Sequence, residues 1–313
     1  MLRINIIART NGVGLDQDVD LVFNALTNAG FKVTISHCRG ISLWSYLLRR
    51  SAQYDVNIFL ERIFPRWLSS AKKNFLIPNQ ERFPRRHLKY LRRVDAVLCK
   101  TRHALDIFTK FTPAHYIGFT SEDRALPTID KDYNTCLHLA GRSTLKGTET
   151  ILDVWSKHPE WPKLTLVQCK ENAPKVVPEN VRLLSGYIEK DDLLRELNAH
   201  GVHLCLSRSE GWGHYIVEAM SCEAIVITTD APPMNEIINS STGVLVPYKR
   251  QEVRHLGVNF YADPEALTEE LNRIFNLSAE DKISYGKNAR NWFEYNHHDF
   301  VTTFPRVIQK LLH

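Results

Sequence analysis

Two segments of this sequence combine residue types and spacings suited to chemistry. The first is Ser209-Glu210-Gly211-Trp212-Gly213-His214-Tyr215-Ile216-Val217-Glu218, set between an apolar run, His203–Ser207, and a helical pattern, Tyr215–Cys222. Gly211 and Gly213 directly precede the expected helix start. Unbonded backbone N–H groups and the positive end of the helix dipole converge there, and a phosphate is their natural ligand. Glu210 and Glu218 flank that point, and carboxylates are strong acceptors for paired hydroxyls. A phosphate with a polyol on each side describes a nucleotide-sugar. The bland reading is a strand–loop–helix with two surface glutamates, or an acid/base pair. The coupling of Glu-x7-Glu to Gly-x-Gly, a strand and a helix favours ligand binding. The second segment, Gly141-Arg142-Ser143-Thr144-Leu145-Lys146-Gly147, follows the strand pattern Cys136–Ala140 and precedes another helix. Arg142 and Lys146 can reach a ligand above that strand end, where a departing diphosphate needs positive charge.

Both segments need a scaffold that presents loops at strand ends, and the chain supplies one. Its 313 residues, 43% hydrophobic and 24% charged, suit two globular domains. Short apolar runs alternate with helical patterns throughout. In the first half the strand candidates are Ile4–Ala8, Val33–Ser36, Val56–Leu60, Phe75–Ile77, Ala96–Lys100 and His115–Ile117. Helices are expected over Asp16–Ala29, Leu43–Arg50, Arg86–Leu91 and Arg102–Phe111. The second half continues with strands at Leu164–Gln168, Arg182–Ser185, Ile225–Thr229 and Val244–Val246. Helices are expected at Thr148–Lys157, Asp191–Ala199, Pro264–Phe275, Ser278–Tyr295 and Phe300–Leu312. Such alternation predicts two doubly wound α/β units with parallel sheets, whose ligands sit at strand carboxyl ends. The polar stretch 121–134 reads as a linker between an N-terminal domain, 1–120, and a C-terminal domain, 135–313. The last helix is a candidate to cross back to the first domain.

Charge divides the chain further. Residues 1–120 hold 19 Lys and Arg against 8 Asp and Glu, a net of +11, whereas residues 121–313 hold 21 against 27, a net of −6. The densest basic stretch, Arg82–Arg102, reads as a solvated helix face or as attraction to an anionic acceptor, a membrane surface or nucleic acid. The six cysteines form no Cys-x-x-Cys pair, so free thiols in a reducing compartment are expected, not zinc or disulfides. No apolar run approaches the length of a membrane span, and Met1–Ile7 reads as a strand, not a signal peptide. The expected location is cytoplasmic, with peripheral contact at the inner face of a membrane through the basic half.

Residues 135 to about 250 resemble the retaining family-4 glycosyltransferases of the two-domain GT-B fold. The resemblance rests on Gly141-Arg142 with Lys146-Gly147, the block Ser207–Met220, Asp230 with Asn235-Glu236-Ile237-Ile238, and Gly243-Val244-Leu245-Val246-Pro247. It implies two Rossmann-like domains and transfer of a sugar, with retention, from a UDP- or GDP-sugar to a glycan or glycolipid hydroxyl. It also implies roles. Arg142 and Lys146 bind the diphosphate, and Glu210 holds donor-sugar hydroxyls. Gly213, His214 and Tyr215 offer backbone N–H groups, with Gly141 at the neighbouring loop. Glu218 binds the ribose, and Tyr187-Ile188 lie beside the base.

In the first half, Asn11-Gly12-Val13-Gly14 opens a helix, and Gly12 and Gly14 are expected to face the donor phosphate. Asn79 and Glu81, after the strand Phe75–Ile77, stand where the family often has His. They are the acceptor-side candidates. Asp16, Asp18 and Asp20 read as carboxylates of a helix's first turn rather than as metal ligands, and no metal or other cofactor is expected. Glycosylation of nucleic acid through the basic half and non-catalytic nucleotide-sugar binding are the alternatives. A dehydrogenase would need a three-glycine fingerprint that the chain lacks.

Overall fold

The structure, a computed structural model, describes residues 1–9, 14–40 and 52–312. Gly12 and the helix expected over Leu43–Arg50 lie outside the described residues. The chain forms two compact units. Unit 1 comprises Met1–Glu122, Val253–Gly257 and Asn296–His313; unit 2 comprises Asp123–Glu252 and Val258–Tyr295.

Unit 1 holds six parallel strands, β1 (Arg3–Ala8), β2 (Lys32–His37), β3 (Tyr54–Glu61), β4 (Ala71–Pro78), β5 (Ala96–Cys99) and β6 (Ala114–Tyr116), in the order β2-β1-β3-β4-β5-β6. Val56–Leu60, apolar except for the buried and hydrogen-bonded Asn57, and Phe75–Ile77 are covered on both faces, as internal parallel strands are. Helix α1 (Gly14–Asn28) buries Leu15, Val19, Val22 and Leu26, spaced four, three and four apart, along one stripe. Gly30, with φ of 86°, turns the chain back toward β2. Helix α2 (Arg102–Phe108) starts where the Thr101 hydroxyl accepts from the Ala104 N–H at 3.0 Å.

Unit 2 repeats the plan with β7 (Asp132–Gly141), β8 (Leu164–Gln168), β9 (Val181–Ser185), β10 (His200–Cys205), β11 (Ile225–Thr229) and β12 (Gly243–Val246), all parallel, in the order β12-β11-β10-β7-β8-β9. Helices α3 (Thr148–Lys157), α4 (Lys190–Ala199), α5 (His214–Ser221) and α6 (Pro264–Phe275) connect or follow these strands. The chain leaves β7 toward β8 on one side and returns to place β10 on the other, so the order of winding reverses between β7 and β10. That reversal opens a crevice at the carboxyl ends of the two strands, the usual ligand position in this topology.

Several elements differ from expectation. Arg86–Leu91 forms a 3-10 helix, Arg85–Arg93, rather than an α-helix. It buries only Leu91, and its cations at three- and four-residue spacing would repel one another along an α-helical face. The two terminal helices are one, α7 (Ala279–Leu312), which continues through Pro305. Phe300, Phe304 and Ile308 keep a buried stripe across that residue, and this packing offsets the lost backbone bond. Strand β7 begins at Asp132, inside the stretch read as linker. An unforeseen two-stranded sheet, β13 (Tyr248–Arg254) and β14 (Gly257–Ala262), stands apart from both large sheets. Strand β13 is almost wholly exposed and carries no apolar alternation, while the six residues of β14 are buried or half-buried on both faces, so neither strand shows a clear period.

Candidate functional site

The loops that follow β7 and β10 meet at the crevice of unit 2. The Arg208 N–H donates to the Leu145 carbonyl at 2.8 Å, which ties one loop to the other. The Arg208 carbonyl in turn accepts from Phe260 N–H at 2.7 Å, so β14 braces the pair. Gly147, with φ of 72°, is the residue before α3. A Cβ there would lie 2.5 Å from the Leu206 carbonyl oxygen, so only glycine permits this approach.

The approach brings Lys146 onto Glu210. The Lys146 ammonium donates to Glu210 Oε1 at 2.7 Å and sits 3.2 Å from the centre of the Tyr215 ring. Ser207 Oγ also donates to Glu210 Oε1. Its single hydroxyl hydrogen is thereby used, so the Tyr215 hydroxyl, 2.8 Å away, donates to Ser207. Tyr215 is buried, and burial holds its hydroxyl protonated, far above the usual phenol range. Lys146, Glu210, Ser207 and Tyr215 form one connected set, assembled from two loops and a helix start.

Helix α5 begins at His214, directly after Gly213, whose φ of 110° is a glycine conformation. The first N–H groups of the helix have no intrahelical acceptor, so the positive end of the helix borders the same crevice. His214 is half-buried at that end. Gly141 closes β7 with φ of 56°, and Arg142 follows it exposed, its carbonyl bonded to Asn172. Arg142 has no ion-pair partner among the described residues. The crevice thus offers an exposed guanidinium, a paired ammonium, a helix N-terminus and a carboxylate.

Glu218 is only 8% exposed, and its carboxylate accepts from Arg124 Nε at 3.2 Å. Arg124 is itself held: its N–H donates to Ser221 Oγ, and its carbonyl accepts from Asn198. Arg124 lies in the polar stretch 121–134, where no local pattern marks it for a role. Tyr187 stands 86% exposed after β9, while Ile188 packs beside Leu137, Val167 and Leu197. Beneath the loops, His138 Nδ1–H donates to the Leu204 carbonyl at 2.7 Å, so its Nε2 accepts from the Thr148 hydroxyl at 2.9 Å. Full burial pushes the His138 pKa down to about 4, which keeps the ring neutral as this arrangement requires.

The unit 1 candidates stand at strand ends of their own sheet. Asn79 follows β4, and its side-chain oxygen accepts from the buried Lys100 ammonium at 3.0 Å. Lys100 also donates to Asp18 at 2.6 Å and lies 4.4 Å from the Phe119 ring centre. Asp18 is therefore half of a buried ion pair and not a solvated first-turn charge. The tertiary fold brings it to a cation 82 residues away in sequence. Glu81 is buried, with Arg82 at 3.8 Å. Gly14 opens α1, and Gly12 lies outside the described residues. Among the described residues no group of His, Cys, Asp and Glu could hold a metal ion, no helix is long and apolar enough to cross a membrane, and the cysteines are free thiols.

Residues 120–292 match the family model described as glycosyl transferases group 1. No curated protein matches the sequence significantly. Solved structures match over nearly the whole chain at low identity. A sucrose-phosphate synthase from Thermosynechococcus elongatus superposes with a TM-score of 0.74 at 16% identity, covering 99% of each chain. A glycosyltransferase from Rickettsia africae ESF-5 gives 0.73 at 14%, covering 99% of this chain and 98% of that one. Anabaena HepE in complex with UDP and glucose gives 0.72 at 13%, covering 100% and 99%. These likenesses identify the fold as GT-B.

Proposed function

The chain belongs to the glycosyl transferases group 1, and from that premise we propose that it transfers a sugar with retention, as family-4 enzymes do, from a nucleoside diphosphate sugar to an acceptor hydroxyl. The observation that carries the reading is the Lys146–Glu210 pair, set beside the positive end of α5 at the reversal point of the sheet. A cation and a hydroxyl-binding carboxylate in contact suit a ligand that joins a diphosphate to a sugar.

On this reading Arg142, Lys146 and the N–H groups of Gly213, His214 and Tyr215 take up negative charge as the diphosphate leaves. Glu210 exchanges part of its contact with Lys146 for donor-sugar hydroxyls. Glu218, held by Arg124, presents its remaining acceptor capacity to the ribose, and the exposed ring of Tyr187 is available to the base with Ile188 beside it. The departing phosphate oxygen takes the acceptor proton. Unit 1 is the acceptor side, with Gly12, Gly14, Asn79 and Glu81 as its contributions. A glycan or glycolipid is the acceptor class, and the free thiols support a reducing, cytoplasmic setting.

A solved structure of similar fold holds UDP and glucose, which supports UDP-sugars as the first donors to try. The test is a donor screen: hydrolysis and transfer measured with UDP-, GDP-, ADP- and dTDP-sugars, followed by the anomeric configuration of the product. One donor turning over with its configuration retained is the expected result. Inversion, or absence of turnover with tight UDP binding, would replace the reading by an inverting enzyme or a nucleotide-sugar sensor. Cation side chains meet the diphosphate charge here, so turnover should survive a chelator.

A further inference from the structure

Unit 1 contains a concave cleft of about 860 Å³ lined by Arg62, Arg82, Arg85, Arg86, Arg254 and His255, with Pro84 and Val253. Five guanidinium groups share its wall, and no carboxylate lines it. Glu61 pairs with Arg62, and Glu81 lies 3.8 Å from Arg82. Arg85 Nε donates to the His255 carbonyl at 3.2 Å, which leaves its charge uncompensated. Arg86 and Arg254 have no ion-pair partner among the described residues. The cleft is open to solvent, and a surface lined by one sign of charge carries a potential that draws anions to it. His87 registers that field. Its pKa lies below the usual histidine value, first through burial and then through the charges of Arg86, Arg62 and Lys89.

The cleft is built, not accidental to one basic helix. Arg62 follows β3, Arg82, Arg85 and Arg86 follow β4, and Arg254 comes from the tip of the β13–β14 hairpin. That tip is fixed in unit 1 at three successive residues. The His255 carbonyl is bonded to Arg85, Leu256 packs on the apolar cluster around Phe83 and Leu91, and Gly257 sits against the Glu81 backbone, 3.3 Å from its Cα to an added Cβ. His255 holds φ of 51°, a conformation that costs energy for a residue with a Cβ. The fold thus adds a hairpin outside both large sheets and uses its anchored tip to bring one more arginine to a wall that already repels it. Such a gathering of like charge is stabilised when an anion occupies it.

We propose that this cleft binds the oxyanion of an acidic sugar acceptor, a phosphate or carboxylate that orients the saccharide for transfer. The proposal rests on the glycosyltransferase reading above and names its acceptor class. Arginine forks match both oxyanions with paired N–H donors. Nucleic acid would call for an extended basic stripe with aromatic stacking surfaces, and the lining contains no Phe, Tyr or Trp. A membrane surface would call for apolar insertion, and Pro84 and Val253 offer little.

The test titrates the full chain at low ionic strength with glucose 6-phosphate, glucuronate and neutral glucose, and in parallel with UDP. Arg86→Ala/Arg254→Ala is compared with wild type and with Lys146→Ala. One or both acidic sugars should bind more tightly than glucose. Their affinity should fall by about tenfold or more in the double variant, as expected for lost charge contacts. UDP affinity should stay unchanged there and fall only in Lys146→Ala. The phosphate and carboxylate arms decide which oxyanion the cleft prefers. Equal binding of acidic and neutral sugars overturns the proposal. So does loss of the acidic sugars in Lys146→Ala instead of the double variant, or stronger competition by a single-stranded oligonucleotide than by either acidic sugar. Failure of UDP to bind wild type would strike the donor reading and not the cleft, so the two failures are distinguishable.

Discussion

The two units share a parallel six-stranded plan but organise charge at their strand ends in opposite ways. In unit 2 two cations near the crevice are matched across the fold, Lys146 to Glu210 and Arg124 to Glu218, and Arg142 alone of the three has no ion-pair partner among the described residues. In unit 1 one cation, Lys100, is buried and matched to Asp18, while the arginines of the cleft gather with a surplus of positive charge. The contrast shows that topology supplies strand ends and reversal points, while side chains decide whether a strand end becomes a prepared polar site, a structural pair or an open field. Paired charges hold geometry in place until a ligand exchanges with one partner. Unpaired ones attract and steer.

Loss of the buried pair should be the most damaging change. Lys100→Met strands Asp18 in the interior of unit 1 and should cost about 3–5 kcal/mol of stability, measured by denaturant unfolding. Adding Asp18→Leu should restore a large part of it. If the single variant is as stable as wild type, the pair does not hold unit 1 together. Next, Lys146→Ala or Arg142→Ala should reduce turnover of the active donor roughly 100- to 1,000-fold with little change in stability. Near-normal transfer by both would remove the charged set from the mechanism.

The third effect is a pH dependence centred on the most deeply buried histidines of unit 2. His138 is neutral and fully buried in unit 2, and its folded pKa of about 4 lies below the usual histidine value. A histidine depressed in this way binds more protons when unfolded, so stability rises with pH through the interval. The contribution is complete above the ordinary pKa and is lost as pH falls toward about 4. Up to about 3 kcal/mol is at stake. Burial lowers the His203 pKa further, to about 3, and reinforces the trend. Unfolding curves between neutral pH and 4 should show the slope, and His138→Asn should flatten it. A slope unchanged by that substitution would place the acid sensitivity elsewhere. Smallest, Gly147→Ala should cost about 1–3 kcal/mol through the close carbonyl and the left-handed backbone, with turnover falling alongside as Lys146 is displaced. A variant equal to wild type in both would mean that the loop has room to relax.

Much of the fold was legible in the sequence because parallel α/β units write themselves as short apolar runs separated by helical stripes. Asp16–Ala29 reads as a helix and Val56–Leu60 as a strand, but the apolar spacing points to a face of Leu21, Ala25, Leu26 and Ala29, whereas the helix buries Leu15, Val19, Val22, Ala25 and Leu26 and leaves Ala29 exposed. The exceptions have physical causes. Strand β13 is exposed and β14 is covered on both faces, so the hairpin carries no strong period, and the Arg85–Arg93 segment buries too little to hold an α-helix. Glu210, Lys146 and Gly213 could be singled out because their loops join strand to helix, and a glycine before a helix has a local meaning.

Strand and helix order, the loops that end at the reversal point, and the segregation of positive charge to the first half are written in the order of residues. Which charges meet is set by the folded sheets. Lys146 reaches Glu210 across 64 residues, Arg124 reaches Glu218 across 94, and Lys100 reaches Asp18 across 82. Arg254 joins Arg62, Arg82, Arg85 and Arg86 from a hairpin that no pattern announced. Periodicity arises from burial against the nearest layer and is written locally. An ion pair or a charged cleft depends on distances between segments far apart in the chain, which are set only when the sheets have closed around their cores.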